Sequence, residues 1–263
     1  MLERATRLVR WLVDPLLRFN FIDRSLALGA QALSGLIPLL ILLQAAQPGT
    51  RSVASDLIER FDLEGDAAET VRELFATPTD EPTTTSLSVV LLVVSVLSFT
   101  RRLQRLYEGT WELEERGLWG TGSGLLWIAF IALYGSLHPV LDSLVGGFAG
   151  VALSLAGALV VGLASPYVLL GRRMSWRRLV PQALLTAAGL EALGIWSAIY
   201  MPRAIESSAS AYGGIGVALA MLTWLWGLGI VLVIAAVYGS PQMQWRGTFG
   251  SPGAGDGGPR PAG

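Results

Sequence analysis

Six stretches of this chain, residues 26–46, 83–100, 121–141, 143–170, 179–201 and 212–238, run for 18 to 28 residues with almost no charge. A helix needs about 20 mostly apolar residues to cross the roughly 30 Å hydrocarbon core of a bilayer. One such stretch can be the core helix of a soluble domain. Six within 263 residues cannot, because too little polar surface is left to cover them. Composition agrees: 15% of residues are charged, against about a quarter in soluble domains, and the mean hydropathy is +0.53. In lipid the backbone must satisfy its own polar groups, and segments this long and apolar do so as helices. The fold expected is all-α, a polytopic membrane bundle with six transmembrane helices.

The arginines orient that bundle. Basic residues in short loops stay cytoplasmic. The chain has no lysine, and 15 of its 19 arginines fall before the first stretch and after the second, fourth and sixth. Only Arg51, Arg60, Arg72 and Arg203 lie in the alternate segments, which carry 11 of the 20 acids. Both termini are therefore expected in the cytoplasm. Three regions follow: an interfacial segment at 1–24, a transmembrane domain at 25–240, and a Gly- and Pro-rich tail at 241–263 expected to be disordered.

Two segments outside the spans have helical periodicity. In residues 2–19, Leu8, Leu12, Leu16 and Phe19 recur at helical spacing among arginines, which suits a helix lying in the headgroup plane. Residues 48–82 form the large external segment. There Leu57, Ile58 and Phe61, then Val71, Leu74 and Phe75, predict two short amphipathic helices on the external face. Asp66, with Glu69 three residues on, has the spacing of a capping box.

What the chain lacks removes whole classes of function. A net charge of −1 gives no overall basic field for nucleic acid. There is no cysteine for a disulfide, a thiolate metal site or a thiol nucleophile, and His138 is the single histidine. No metal, no cofactor and no nucleic-acid partner is expected, and no set of residues supports catalysis.

A few polar and small residues inside the spans need a reason. Glu191 sits in the middle of the fifth stretch, where a carboxyl costs a few kcal/mol and calls for a partner. Gln31, Ser34 and Thr223 are the candidate partners, and two roles stay open: a proton-coupled or substrate-contacting carboxyl facing an internal cavity, or glue between helices. Gly146, Gly150, Ser154, Ala158 and Gly162 repeat every fourth position, a ridge of small residues that admits close helix packing. Pro38 in the first span, with Gly213 and Gly216 after Tyr212, marks places for a kink or an unwound turn. Arg101, Arg102, Arg172, Arg173, Arg177 and Arg178 are candidates to meet anionic lipid headgroups, at about 1 kcal/mol each.

Three pieces of the sequence resemble the YihY/BrkB family of inner-membrane proteins, once mislabelled ribonuclease BN. They are ALGAQALSGLIPLLILL, with Ile37 and Pro38 at the family's turn; WRRLVPQALLTAAGLEAL, with Arg177, Arg178, Pro181 and Glu191; and the segment opening at Tyr212, Gly213 and Gly216 and carrying Trp224 and Leu225. An acidic residue usual near the end of the family's last helix is absent from Ala236-Val237-Tyr238-Gly239. The resemblance implies a bacterial inner-membrane protein tied to envelope integrity. It adds no nuclease: metal-dependent RNA hydrolysis needs clustered ligands, which one histidine and scattered acids do not supply.

Two functions are expected from these readings. One is transport or export of an amphipathic, lipid-like substrate through a cavity among spans one, five and six, touched by Glu191, Gln31 and Tyr212. The other is a non-transporting envelope scaffold that engages a second copy or another envelope protein through its external helices. Membrane lipids are the expected partners of either.

Overall fold

A computed structural model describes residues 13–46, 53–61, 63–75, 82–115, 117, 121–144 and 148–241. Among them there is no strand. The helices are α1 (Phe21–Ala46), α2 (Val53–Phe61), α3 (Gly65–Phe75), α4 (Pro82–Thr110), α5 (Thr121–Leu144), α6 (Phe148–Leu169) and α7 (Trp176–Tyr238). A short helical stretch at 13–18 precedes them and ends at Asn20, which has a positive φ of 47°. Residues 1–12, most of the expected interfacial helix, and the tail beyond 241 lie outside the described residues.

The largest departure from the sequence reading is α7. The fifth and sixth stretches form two helical arms within α7, the first running on past residue 201 to the kink at Gly213. Pro202 does not end it. Proline removes one backbone hydrogen bond, and here the Arg203 guanidinium donates to the next carbonyl, Ile199 O, at 2.9 Å. The chain reverses instead at Gly213, whose φ of 58° and ψ of −139° belong to a region that only glycine enters readily. The two arms then run back along each other. A Cβ on Gly216 would strike the Ser208 carbonyl, one on Gly189 would meet Val231, and one on Gly239 would meet Gln182. Glycines on the facing sides set how closely the arms approach.

The other helices add to this hairpin in alternating directions. Ser154 and Gly162 of α6 meet Glu191 and then Ala183 of α7, in reverse order along the chain. Tyr134 and Trp127 of α5 meet Gly157 and Ser165 of α6, and Phe99 of α4 stacks on Trp127. α1 returns to the second arm of α7: Gly29 lies on the Trp226 backbone, and Gly229 lies on the Ser25 backbone. Trp226 Nε1 donates to Ser25 Oγ at 3.0 Å in the same crossing. Among the described residues, and with the two arms of α7 counted separately, six long rods run alternately up and down.

Two buried clusters close the ends. At the arginine-rich end, Leu103, Leu106, Tyr107 and Trp111 of α4 pack with Leu169, Leu170, Leu179 and Val233. At the other end the two expected amphipathic helices are present as α2 and α3. Their Ala54, Phe61, Ala67, Ala68 and Val71 bury against Met201, Ile205, Ala209 and Val217 of α7. Asp66 falls in the first turn of α3 instead of at its cap, because the helix already starts at Gly65; Glu69 pairs with Arg72 at 2.9 Å. Between the ends, apolar side chains face outward: Leu87, Val90, Leu91 and Val94 of α4 and Ile195 and Ile199 of α7 are all exposed. Such a belt is what lipid covers. Three helices among the described residues are long and apolar enough to cross a bilayer, at Ser86–Thr110, Ala149–Leu169 and Trp176–Tyr238.

Candidate functional site

Glu191 lies on the first arm of α7, on the side facing α6. Ser154 Oγ donates to its Oε1 at 2.9 Å in a half-buried setting. The small-residue ridge makes this contact possible. Gly162 sits on Ala183 and Thr186 with no room for a Cβ, so α6 is drawn close enough for Ser154, about two turns away, to reach the carboxylate. The partner therefore comes from the ridge, and not from Gln31, Ser34 or Thr223. Those three bond locally: Gln31 Nε2 donates to Ser34 Oγ at 3.2 Å, Ser34 Oγ to Gln31 O at 2.9 Å, and Thr223 Oγ1 to Leu219 O at 3.0 Å.

A second polar group occupies the arginine-rich end. Glu108 is 1% exposed, on the last turns of α4. Arg173 Nη2 donates to its Oε1 at 2.8 Å, and Gln104 Nε2 donates to the same oxygen at 3.0 Å. Arg173 also donates to Glu114 O at 3.1 Å and to Leu170 O at 3.1 Å. Two left-handed turns aim these groups. Glu112 (φ 51°) ends α4 with Leu113 N bonded to Glu108 O, and Gly171 and Arg172 (φ 63° and 59°) turn the chain after α6 so that Arg173 points back at α4. One turn beyond Glu108, Trp111 Nε1 donates to Gln182 Oε1 at 2.9 Å; the Gln182 Nε2 is buried without a hydrogen-bond partner.

Beside this network a pocket of about 410 Å³ opens between the start of α1 and the end of α4. Arg24, Arg102 and Arg105 line it together with Asp23, Glu115 and Asn20. A smaller pocket of about 220 Å³ shares Arg105 and Glu115 and reaches Glu108.

Residues 24–241 match the family model described as Virulence factor BrkB. The chain belongs to the virulence factor BrkB family. No curated protein and no solved structure matches it.

In this BrkB-family member, the outward apolar belt and the long apolar helices are those of a membrane protein. The residues singled out in sequence do not converge on one site. Glu191 faces α6, Gln31 and Ser34 lie beside Ser95 of α4, and Tyr212 stands 70% exposed at the α7 turn. Gly213 makes that turn, Gly216 packs within it, and α1 runs on through position 38. Gly150 is half-buried and Gly162 buried on the ridge, while Gly146 and the side chain of His138 lie outside the described residues. Of the arginines, Arg173 is held by Glu108, whereas Arg101, Arg102, Arg172, Arg177 and Arg178 are exposed. The sequence reading missed Glu108, Gln104, Gln182, Asp23, Arg24, Arg105 and Glu115 as site residues. The four-residue spacing of Gln104 and Glu108 was the one local signal; the other partners are brought in by the fold.

Proposed function

We propose that this protein crosses the bacterial inner membrane six times, with both termini cytoplasmic, and moves an amphipathic, lipid-like substrate across or out of the bilayer. The alternating rods support six crossings, with each arm of α7 counted as one, and the arginine distribution supports the direction. The observation that carries the transport reading is Glu191: a half-buried carboxylate, midway along an apolar arm, held through one hydroxyl from a neighbouring helix. Simple glue would use an uncharged group at lower cost. The glycine turn at residue 213 gives the two arms a place to move.

The test is lipid translocation in reconstituted vesicles, read with a fluorescent phospholipid and a membrane-impermeant quencher. Wild type is expected to translocate, Glu191→Ala to lose translocation, and Glu191→Gln to lose most of it while folding normally. Full activity in Glu191→Gln would reduce the carboxyl to glue.

A scaffold reading has one observation in its favour. α2 and α3 are clamped on the α7 turn through Phe61, Val71, Met201 and Ile205, and they and the loop between them leave Glu64, Asp66, Glu69 and Glu73 exposed. A fixed charged surface of this kind suits a partner protein. Envelope defects that follow substitution of these acids, with translocation intact, would favour it.

A further inference from the structure

We propose that the pocket between α1 and α4 binds a zwitterionic phospholipid headgroup, a phosphate diester carrying a primary ammonium. Five charged side chains line this one pocket: Arg24, Arg102 and Arg105 with Asp23 and Glu115. Opposite charges that line one space can pair with each other. Here, among the described residues, none of the five forms an ion pair; Arg24 lies over the Phe19 ring, 5.8 Å from its centroid. Cations and anions share the lining of one space of about 410 Å³. A ligand with one charge would satisfy half of this lining and oppose the other half. A ligand with separated phosphate and ammonium groups satisfies both. Guanidinium groups take the phosphate oxygens through charge-assisted hydrogen bonds, and the carboxylates take the ammonium.

Depth and surroundings indicate a lipid as the source. The apolar run of α1 begins at Leu26, just after Asp23 and Arg24, and that of α4 ends just before Arg101 and Arg102. The pocket therefore sits where two hydrocarbon-length segments meet the headgroup layer. Ile22 and Leu26 are exposed on the neighbouring face of the same two turns of α1, so acyl chains have an apolar surface leading away from the pocket. The inference rests on this end of the bundle lying at headgroup level, and not on transport.

The experiment uses the full chain in detergent. Short-chain phosphatidylethanolamine, short-chain phosphatidylglycerol and free phosphoethanolamine are titrated separately, and binding is read by native mass spectrometry and calorimetry. Phosphatidylethanolamine is expected to bind at least about tenfold more tightly than either other probe. Arg105→Ala is expected to weaken it about tenfold. Asp23→Asn combined with Glu115→Gln is expected to reverse the preference toward phosphatidylglycerol, which a loss of folding would not do; all three residues are exposed. Equal affinity for the two lipids, an unchanged preference in the Asp23→Asn, Glu115→Gln variant, or equal affinity for free phosphoethanolamine would each overturn the proposal. Headgroup selectivity without translocation would remove the transport reading and leave this site standing. Translocation without selectivity would do the reverse.

Discussion

Arg173 and Glu108, 65 residues apart in the chain, meet at 2.8 Å at the arginine-rich end of the bundle, with the carboxylate buried and the guanidinium partly exposed. The pair ties the turn after α6 to the last turns of α4. Gln104 bonds the same carboxylate oxygen, and the Arg173 guanidinium also satisfies two carbonyls. A buried pair is stabilising mainly in the sense that breaking it is costly, because it leaves a buried charge without its counter-ion.

Arg173→Ala should therefore cost about 3 kcal/mol or more of stability. The double variant Arg173→Ala, Glu108→Leu should recover a large part of that loss, since it strands no charge. Thermal unfolding in detergent, followed by the intrinsic tryptophan signal, measures both. A double variant as unstable as Arg173→Ala would show that the pair acts through something other than charge compensation.

Gly213→Ala should destabilise by about 1–3 kcal/mol although nothing lies within 4 Å of the added methyl, because the cost is backbone conformation and not space. Gly194→Ala on the same helix is the control. It too has open space, its backbone is helical, and alanine is the better helix former, so it should be neutral or stabilising by up to about 1 kcal/mol.

Gly229→Val should be far worse than either. A Cβ there runs into the Ser25 carbonyl, which belongs to the backbone of α1 and cannot rotate away. Separation of α1 from α7, read as loss of monodisperse protein on gel filtration, is the expected outcome, with a penalty of about 1–3 kcal/mol as a lower bound. Ser25→Ala, which removes only the hydroxyl bonded to Trp226, should cost about 1 kcal/mol.

Ser154→Ala should cost about 1 kcal/mol or less in stability, typical of a hydrogen bond between helices in a bilayer. If Glu191 also serves translocation, the same substitution should alter its rate by more than that stability loss explains. A rate unchanged while stability falls would assign the hydrogen bond to packing alone.

The topology has a direct check, because the chain contains no cysteine. Single cysteines placed near either terminus should react with a membrane-impermeant maleimide only after the cells are opened from the cytoplasmic side. A cysteine at Glu69, exposed on α3, should react from outside. The opposite pattern at either terminus would overturn the assignment of both ends to the cytoplasm.

Much of the helical fold was legible because the bilayer imposes a length on apolar segments, which is a local property of sequence. Helical periodicity in Ile58 and Phe61, and in Val71, was likewise enough to place α2 and α3, since one buried stripe defines each helix. The family was legible in three short segments. The partner of Glu191 was not, because Ser154 lies 37 residues away and reaches it only once Gly162 lets α6 close on α7. Nor was the continuation of α7 through Pro202 as far as the turn at Gly213, a turn that glycine permits but does not require. The charged pocket was the least legible. Asp23 and Arg24 are ordinary loop-side charges until α4 brings Arg102 and Arg105 beside them. Sequence determined which segments are apolar and where charge is found, because hydropathy is carried by each residue alone; only the tertiary structure decided which charges share a space, because that depends on how closely small residues let the helices pack.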